Sequence, residues 1–370
     1  MSVPAYTENS QLINAINIRR KQLILQEFLK SYLFYVLLGL NNRMPVYDVE
    51  EVPLYISPPA MGTWIDRGST LPEGQRGAKA MGYWNNRYVV VPTTWDALEM
   101  MQREGDPARM WDDMDLLEVE TSWALRRTLC NAAWNGTGSL QPDGISYAIE
   151  KRAPNAQTSV ITGVNKAQKA WFRNNYVSMS QNAGYIGAGT NLPQIFISLL
   201  SLIESCTNGA NGPSHLISNR KVFSVLKRCM LETSTPYHLM TTNNDANFGF
   251  ETFVFDGLQL AWDPACPSDS IYALPLQDNV QAWRLNNKQD KATMGDRDLD
   301  EIGVKKFLDL NGNIGMLYHP NIQRRNIEAR SGLRTMVYSK WIIDSFNLGY
   351  KTMNRCGVLG SDNGSRLETF

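Results

Sequence analysis

Three histidines, His215, His238 and His319, are the side chains best suited to hold a transition metal or carry a proton. No two of them share a short helical or hairpin spacing, so a metal site built from them would need convergence from distant parts of the chain. The acidic runs are the next candidates for chemistry. Asp113 and Asp115 stand two apart in a helical context, where each residue turns about 100°, so their carboxylates diverge by about 200° and cannot share one cation. Asp296, Asp298 and Asp300 imitate the first half of a calcium loop. The imitation fails at the sixth place, where Glu301 replaces the required glycine, and at the twelfth, where Phe307 replaces the bidentate acid. The glycine-rich run Gly184 to Thr190 lacks the lysine of a phosphate-binding loop. There is no Gly-x-Ser-x-Gly elbow, and no serine or cysteine has the context of a nucleophile. Among enzymes, the reading left open is a metal-dependent activity resting on acidic residues such as Asp112 and Asp113.

Composition narrows the field further. The chain has 370 residues, with 36 basic and 36 acidic side chains and a formal net charge of zero. A dedicated nucleic-acid binder carries a basic excess or stripe, because phosphate neutralisation drives its affinity; neither is evident, which suits a wall that does not hold nucleic acid tightly. The five cysteines, Cys130, Cys206, Cys229, Cys266 and Cys356, are odd in number and form no Cys-x-x-Cys pair. They read as buried free thiols of a reducing cytoplasm. Met1 to Ser10 lacks the basic start and apolar core of a signal peptide.

The elements that position these residues are clearest between residues 192 and 275. Leu192, Ile195, Phe196, Leu199 and Ile203 form one apolar stripe at helical period, with Pro193 tolerated in the first turn. A Gly/Pro break follows, then a short strand His215 to Ser218. A second helix opens at Asn219 or Arg220 with the stripe Val222, Phe223, Leu226, Cys229 and Met230. After a polar loop come two strands, Phe250 to Phe255 and Leu258 to Trp262. The Asp256-Gly257 pair between them is a strong hairpin signal. Asp263 to Pro267 turns the chain into Ile271 to Leu274.

This succession, with Pro-Ser-His-Leu-Ile-Ser between the helices, then Phe-Asp-Gly-Leu-Gln-Leu-Ala-Trp-Asp-Pro-Ala-Cys-Pro and Ile-Tyr-Ala-Leu, resembles the major capsid proteins of tailed DNA phages, the Hong Kong-97-like coat fold. It departs from the family's habit at His215, where an acid is common, and at Pro275, where asparagine is common.

The rest of the chain reads consistently with that resemblance. Gln11 to Leu40 reads as a long helix in one or two parts, whose apolar end Leu33 to Leu40 is too short to span a bilayer. Met44 to Val91 is rich in proline, glycine and aromatics, with short strands at Val52 to Ile56 and Tyr88 to Val91. The stretch Asp66 to Gly77 has no core-forming pattern. Thr93 to Asp96 fits a capping box opening a short helix to about Arg103. Asp106 then caps a helix with Pro107 in its first position, ending at Asn135-Gly136 and roughly 40 Å long at about 1.5 Å per residue. Its stripe is Met110, Met114, Leu117, Leu125, Leu129 and Ala132, with Thr121 the one polar interruption. Further on, Val280 to Leu285 reads as a strand, Phe307 to Tyr318 as a hairpin around Asn311-Gly312, and Leu333 to Phe346 as a strand or two.

The resemblance implies an α+β subunit in five parts: an N-terminal arm (1–45), an extended β-hairpin loop (46–92), a peripheral domain with a spine helix (93–149), an axial domain (150–325), and C-terminal strands returning to the peripheral domain (326–370). It implies a structural protein and not an enzyme. Such a subunit needs no cofactor and assembles with itself, as hexamers and pentamers, into an icosahedral virion shell around double-stranded DNA in the bacterial cytoplasm. A portal, a scaffolding protein or a decoration protein would be its partners, and no membrane is involved. An encapsulin-like compartment enclosing a cargo enzyme is the alternative within the fold. Tyr55, Trp64, Arg67, Arg76, Tyr83 and Trp84 are the candidate subunit-interface residues. Each of the four aromatics has a second option, burial within its own subunit. Some coat proteins of the family cross-link through a lysine in the extended loop; Lys79 lies in that region without a matching motif, so the chemistry is not carried over.

Overall fold

The computed structural model describes residues 43–47, 49–55, 79–96, 107–208, 212–232, 252–276, 314–318, 321–322, 325–330, 337–361 and 366–369. The expected helix 11–40, the helix to about Arg103, the strand 280–285 and the first half of the 307–318 hairpin lie outside those residues, wholly or in their distinctive part.

Among the described residues, sixteen strands and four α-helices follow the chain. The first strands are β1 (Arg43–Pro45), β2 (Val49–Tyr55), β3 (Lys79–Asn85) and β4 (Tyr88–Asp96). Helix α1 (Pro107–Asn135) and the single turn α2 (Ile145–Ala148) come next. Then follow β5 (Val160–Ile161), β6 (Val164–Asn165), β7 (Asn175–Ser178), α3 (Gln194–Cys206), β8 (His215–Ser218) and α4 (Arg220–Glu232). The remaining strands are β9 (Thr252–Phe255), β10 (Leu258–Trp262), β11 (Ser270–Leu274), β12 (Ile314–Tyr318), β13 (Arg325–Arg330), β14 (Val337–Ser345), β15 (Asn347–Tyr350) and β16 (Gly357–Gly360).

The largest unit is a six-stranded sheet in the order β7-β16-β11-β8-β10-β9. Every residue of β8, β11 and β16 is buried, as expected where both faces of a sheet are covered. The period-two alternation sends Leu216, Leu260, Ile271, Ala273 and Leu359 to one face, against α3 and α4. Ile217, Ala261, Tyr272, Leu274 and Val358 face the other way, into a core shared with the C-terminal half of α1. The stripe predicted for α4 is buried residue for residue, and the Asn219 side chain accepts from the Val222 amide at 2.8 Å, capping the helix. Asp256 and Gly257 both have positive φ, at 50° and 77°, the geometry of the tight turn that an Asp-Gly pair supplies between twisted strands.

Three smaller sheets are β1-β12-β15, β13-β14-β4, which packs against α1, and the β2-β3 pair; β5 and β6 form a short hairpin. One sequence expectation is corrected here. Thr93 does not open a helix; Thr93 to Asp96 continue β4, pairing with Val337 to Lys340 of β14, and residues 97–103 lie outside the described residues. The β-branched and aromatic residues of this run fit a ladder once a partner strand is available. β16 is inserted between β11 and β7, where its four buried residues find a hydrogen-bonding strand on each edge.

α1 matches its predicted limits, beginning at Pro107 and ending at Asn135. Gly136 and Gly144 close the helix end by direct backbone approach: the Gly136 amide donates to Ala132 O at 2.9 Å and the Gly144 amide to Gly136 O at 3.2 Å. A Cβ on Gly136 would lie 2.2 Å from Pro142 O, so no other residue fits that turn unshifted.

Candidate functional site

The β2-β3 hairpin is two-faced. Its register sets Glu51 opposite Tyr83 and Leu54 opposite Ala80, and successive side chains alternate between its faces. Val52, Leu54 and Trp84 turn inward and are buried in the subunit core. The inner face is closely packed around two glycines: a Cβ on Gly82 would come 2.8 Å from Leu54 Cδ1, and one on Gly349 would lie 3.0 Å from Trp84 Cε2. The base of the hairpin therefore contributes to the subunit core, while the stretch Asp66 to Gly77, expected to carry no core-forming pattern, lies outside the described residues. The Tyr83 amide also donates to Thr162 O at 2.8 Å, tying β3 to the turn between β5 and β6.

The outer face is different. Val49, Met81 and Tyr83 are exposed by 57%, 49% and 47%, with Tyr47 just before β2 at 61%. Val160, in the adjoining small hairpin, is 47% exposed. Scattered apolar side chains on a surface mean little, but a contiguous set on one face marks a contact surface.

The six interface candidates thus separate. Trp84 is 1% exposed and takes the interior position. Tyr83, its neighbour in β3, points outward. Tyr55 ends β2 at a position where only the backbone is described. Trp64, Arg67 and Arg76 lie in 56–78, outside the described residues. Sequence reasoning missed the outward positions Tyr47, Val49 and Met81. The signal that could have found them is the alternation of Lys79 to Asn85 around Trp84, once that run is read as a strand.

The side chains that could do chemistry are held in ways that suit structure. His215 is 2% exposed. Burial pulls its imidazole down to about 4, while Gln259, opposite it in β10, pulls the other way. Its Nδ1 lies 2.8 Å from Ser214 Oγ. All five cysteines are buried free thiols. Burial pushes Cys206 and Cys229 up to about 11, and Cys130, Cys266 and Cys356 further, which removes the thiolate that reactivity needs. Lys166 is fully buried, donating to Ala148 O and, at 2.7 Å, to Asn174 Oδ1. Its ammonium is drawn down to about 8 by burial, against the attraction of Glu150. Asp143 is pushed up to about 6 by burial, opposed by Arg87. These groups are dispersed; among the described residues no three His, Cys, Asp or Glu side chains gather as a metal site. Among the same residues, no helix is long and apolar enough to cross a membrane. The backbone of Asp112, Asp113 and Asp115 lies in α1, as expected.

The sequence matches no family model and no curated protein. The fold, however, has many relatives among solved structures. The cyanophage A-1(L) capsid asymmetric unit is 10% identical with a TM-score of 0.59, the match covering 90% of this chain and 93% of that one. The holo-SrpI encapsulin complex from Synechococcus elongatus is 11% identical with a TM-score of 0.53, covering 89% and 88%. The capsid of the empty GTA particle is 12% identical with a TM-score of 0.52, covering 90% of each. Across nine-tenths of its length, this chain has the fold of capsid and encapsulin shell proteins.

Proposed function

We propose that this chain is the major capsid protein of a tailed phage, a structural subunit that assembles in many copies into an icosahedral shell around double-stranded DNA. The observation that carries the reading is the end-to-end match to shell subunits, including a capsid asymmetric unit, over some 90% of both chains. The two-faced hairpin supports it: one face is built into the subunit core and the other leaves an apolar strip for a neighbour. In this reading α1 serves as the spine helix of a peripheral domain (93–149), and the six-stranded sheet with α3 and α4 belongs to the axial domain (150–325). The arm (1–45) and extended loop (46–92) reach neighbouring subunits in hexamers and pentamers, and the C-terminal strands of 326–370 return to the peripheral domain. The role is structural and not enzymatic; portal, scaffolding or decoration proteins are its expected partners, and assembly takes place in the host cytoplasm.

The encapsulin relative favours a second reading, a compartment around a cargo protein. Size-exclusion chromatography with light scattering, followed by electron microscopy of the leading peak, tests both. Closed particles of megadalton mass are expected. A subunit that stays monomeric, even with a co-expressed scaffolding candidate, and shows metal-dependent activity sensitive to Asp112 or Asp113 would overturn the proposal.

A further inference from the structure

Lys166 is fully buried, yet both acceptors of its ammonium are neutral: Ala148 O at the end of α2 and, at 2.7 Å, Asn174 Oδ1. Among the described residues no carboxylate accepts from it. A buried ammonium is costly unless an anion pairs with it. Burial accordingly draws this one down to about 8, with Glu150 pulling the other way. At about pH 8, then, about half of it is a neutral amine with a free lone pair. Such an amine, shielded from water, is a nucleophile.

The group it faces is a carboxamide held in place on several sides. Asn174 is 1% exposed and immediately precedes β7. Gln157 grips its backbone, donating from Nε2 to Asn174 O at 2.8 Å and accepting from the Asn174 amide on Oε1 at 3.0 Å. The backbone of Glu150 grips its side chain: the Glu150 amide donates to Asn174 Oδ1 at 3.1 Å, and Glu150 O accepts from Asn174 Nδ2 at 3.0 Å. The Asn174 Cγ is one C=O bond, about 1.2 Å, from Oδ1, so it lies no more than about 3.9 Å from Lys166 Nζ. A preorganised amine and carbonyl carbon at such a separation are within reach of a reacting pair's approach distance.

We infer that Lys166 and Asn174 condense into an isopeptide bond within one subunit, a covalent stitch between the residue that follows β6 and the residue that precedes β7. The neutral Lys166 amine adds its lone pair to Asn174 Cγ, and the carbonyl electron pair moves onto Oδ1, where the Glu150 amide already donates. As the C=O bond re-forms, the Cγ–Nδ2 bond breaks. The proton shed by Nζ goes to Nδ2, so ammonia leaves, and nothing is oxidised or reduced. The N–H that remains on Nζ keeps Ala148 O as its acceptor, and the unpaired buried charge is gone. Both partners belong to one chain, so the stitch forms whether or not the chain assembles into a shell.

The test is intact-mass spectrometry of the full chain, held folded for days at about pH 8 and denatured only for the measurement. The wild type is expected about 17 Da below the mass of its sequence, the deficit of one ammonia. Trypsin should no longer cut after Lys166, and the peptide carrying Lys166 should be joined to the one that opens at Asn174. An Asn-Gly pair such as Asn135-Gly136 loses the same mass on closing to a succinimide. Hydroxylamine treatment separates the two, because it opens a succinimide and leaves the isopeptide bond intact. Lys166→Arg and Asn174→Ala are each expected at full sequence mass. A wild type at full mass, a deficit that hydroxylamine removes, or a deficit retained in Lys166→Arg overturns the inference. The branched peptide is read from the wild type itself, so the outcome stands even if a variant folds poorly.

Discussion

The rings of Trp134 and Tyr272 lie 5.3 Å apart at an interplanar angle of 58°. Both residues are essentially fully buried. Trp134 belongs to the last turn of α1 and Tyr272 to the middle of β11, so this contact joins the long helix to the centre of the six-stranded sheet. Two units that the sequence resemblance treats as separate domains thereby share one core.

That contact predicts a measurable coupling. Trp134→Ala is expected to cost the subunit about 3–5 kcal/mol, through lost burial and an incompletely collapsed cavity. In a cycle of Trp134→Leu, Tyr272→Leu and the double variant, about 0.5–1.5 kcal/mol of the loss should be shared between the rings. Urea unfolding of dissociated subunits measures it. Strict additivity would mean that the helix and sheet are held by other contacts.

A second pair explains an oddity of the sequence. Thr121 breaks the apolar stripe of α1, is buried, and forms a short hydroxyl–hydroxyl hydrogen bond of 2.5 Å with Thr93 of β4. Thr121→Val should therefore cost about 1 kcal/mol by leaving the Thr93 hydroxyl half-buried without that partner, and adding Thr93→Val should recover much of the loss. Thermal unfolding of the two singles and the double resolves this. A double variant as unstable as the sum of the singles would show that the hydroxyls act independently.

The same pair shows where the sequence was readable. α1, the β8–α4 unit, the β9–β10 hairpin and β11 were all legible, because stripes, caps and an Asp-Gly turn are written within a few residues of one another. Thr93 was misread because Thr-Thr-Trp-Asp satisfies a capping box locally, while the strand that claims it, β14, lies more than 240 residues away. The parallel pairings of β8 with β10 and of β16 with β7 carry no local signature either. At the candidate interface, Trp84 and Tyr83 were named together because an aromatic at either place looks alike in sequence; only the register of β3 decides which face each one takes.

His215 predicts how acid acts on the subunit. The imidazole is held down from 6.5 to about 4, so between those values the unfolded chain binds a proton that the folded chain does not. Its contribution is fully present above pH 6.5 and is lost progressively as the pH falls toward 4, by up to about 3 kcal/mol. Urea midpoints should fall across this window in the wild type and fall less in His215→Gln, which cannot take up the proton. Parallel pH profiles for the two proteins would place the acid sensitivity elsewhere.

Adjacent residues of β3 should separate folding from assembly. Trp84 fills the subunit core, so Trp84→Ala is expected to lower subunit stability by about 3–5 kcal/mol and to yield little soluble protein. Met81 and Tyr83 lie on the exposed face of the same strand, where substitution seldom changes stability by more than about 0.5 kcal/mol. Met81→Glu with Tyr83→Glu should therefore leave the melting temperature of the dissociated subunit nearly unchanged while placing two charges in any contact made there. An apolar subunit contact cannot bury such charges without large desolvation costs. Sedimentation and electron microscopy are expected to show a loss of closed particles in favour of dissociated subunits. Shells that form normally from the double glutamate variant would mean that this strip faces solvent in the assembly and that the neighbour binds elsewhere on the hairpin.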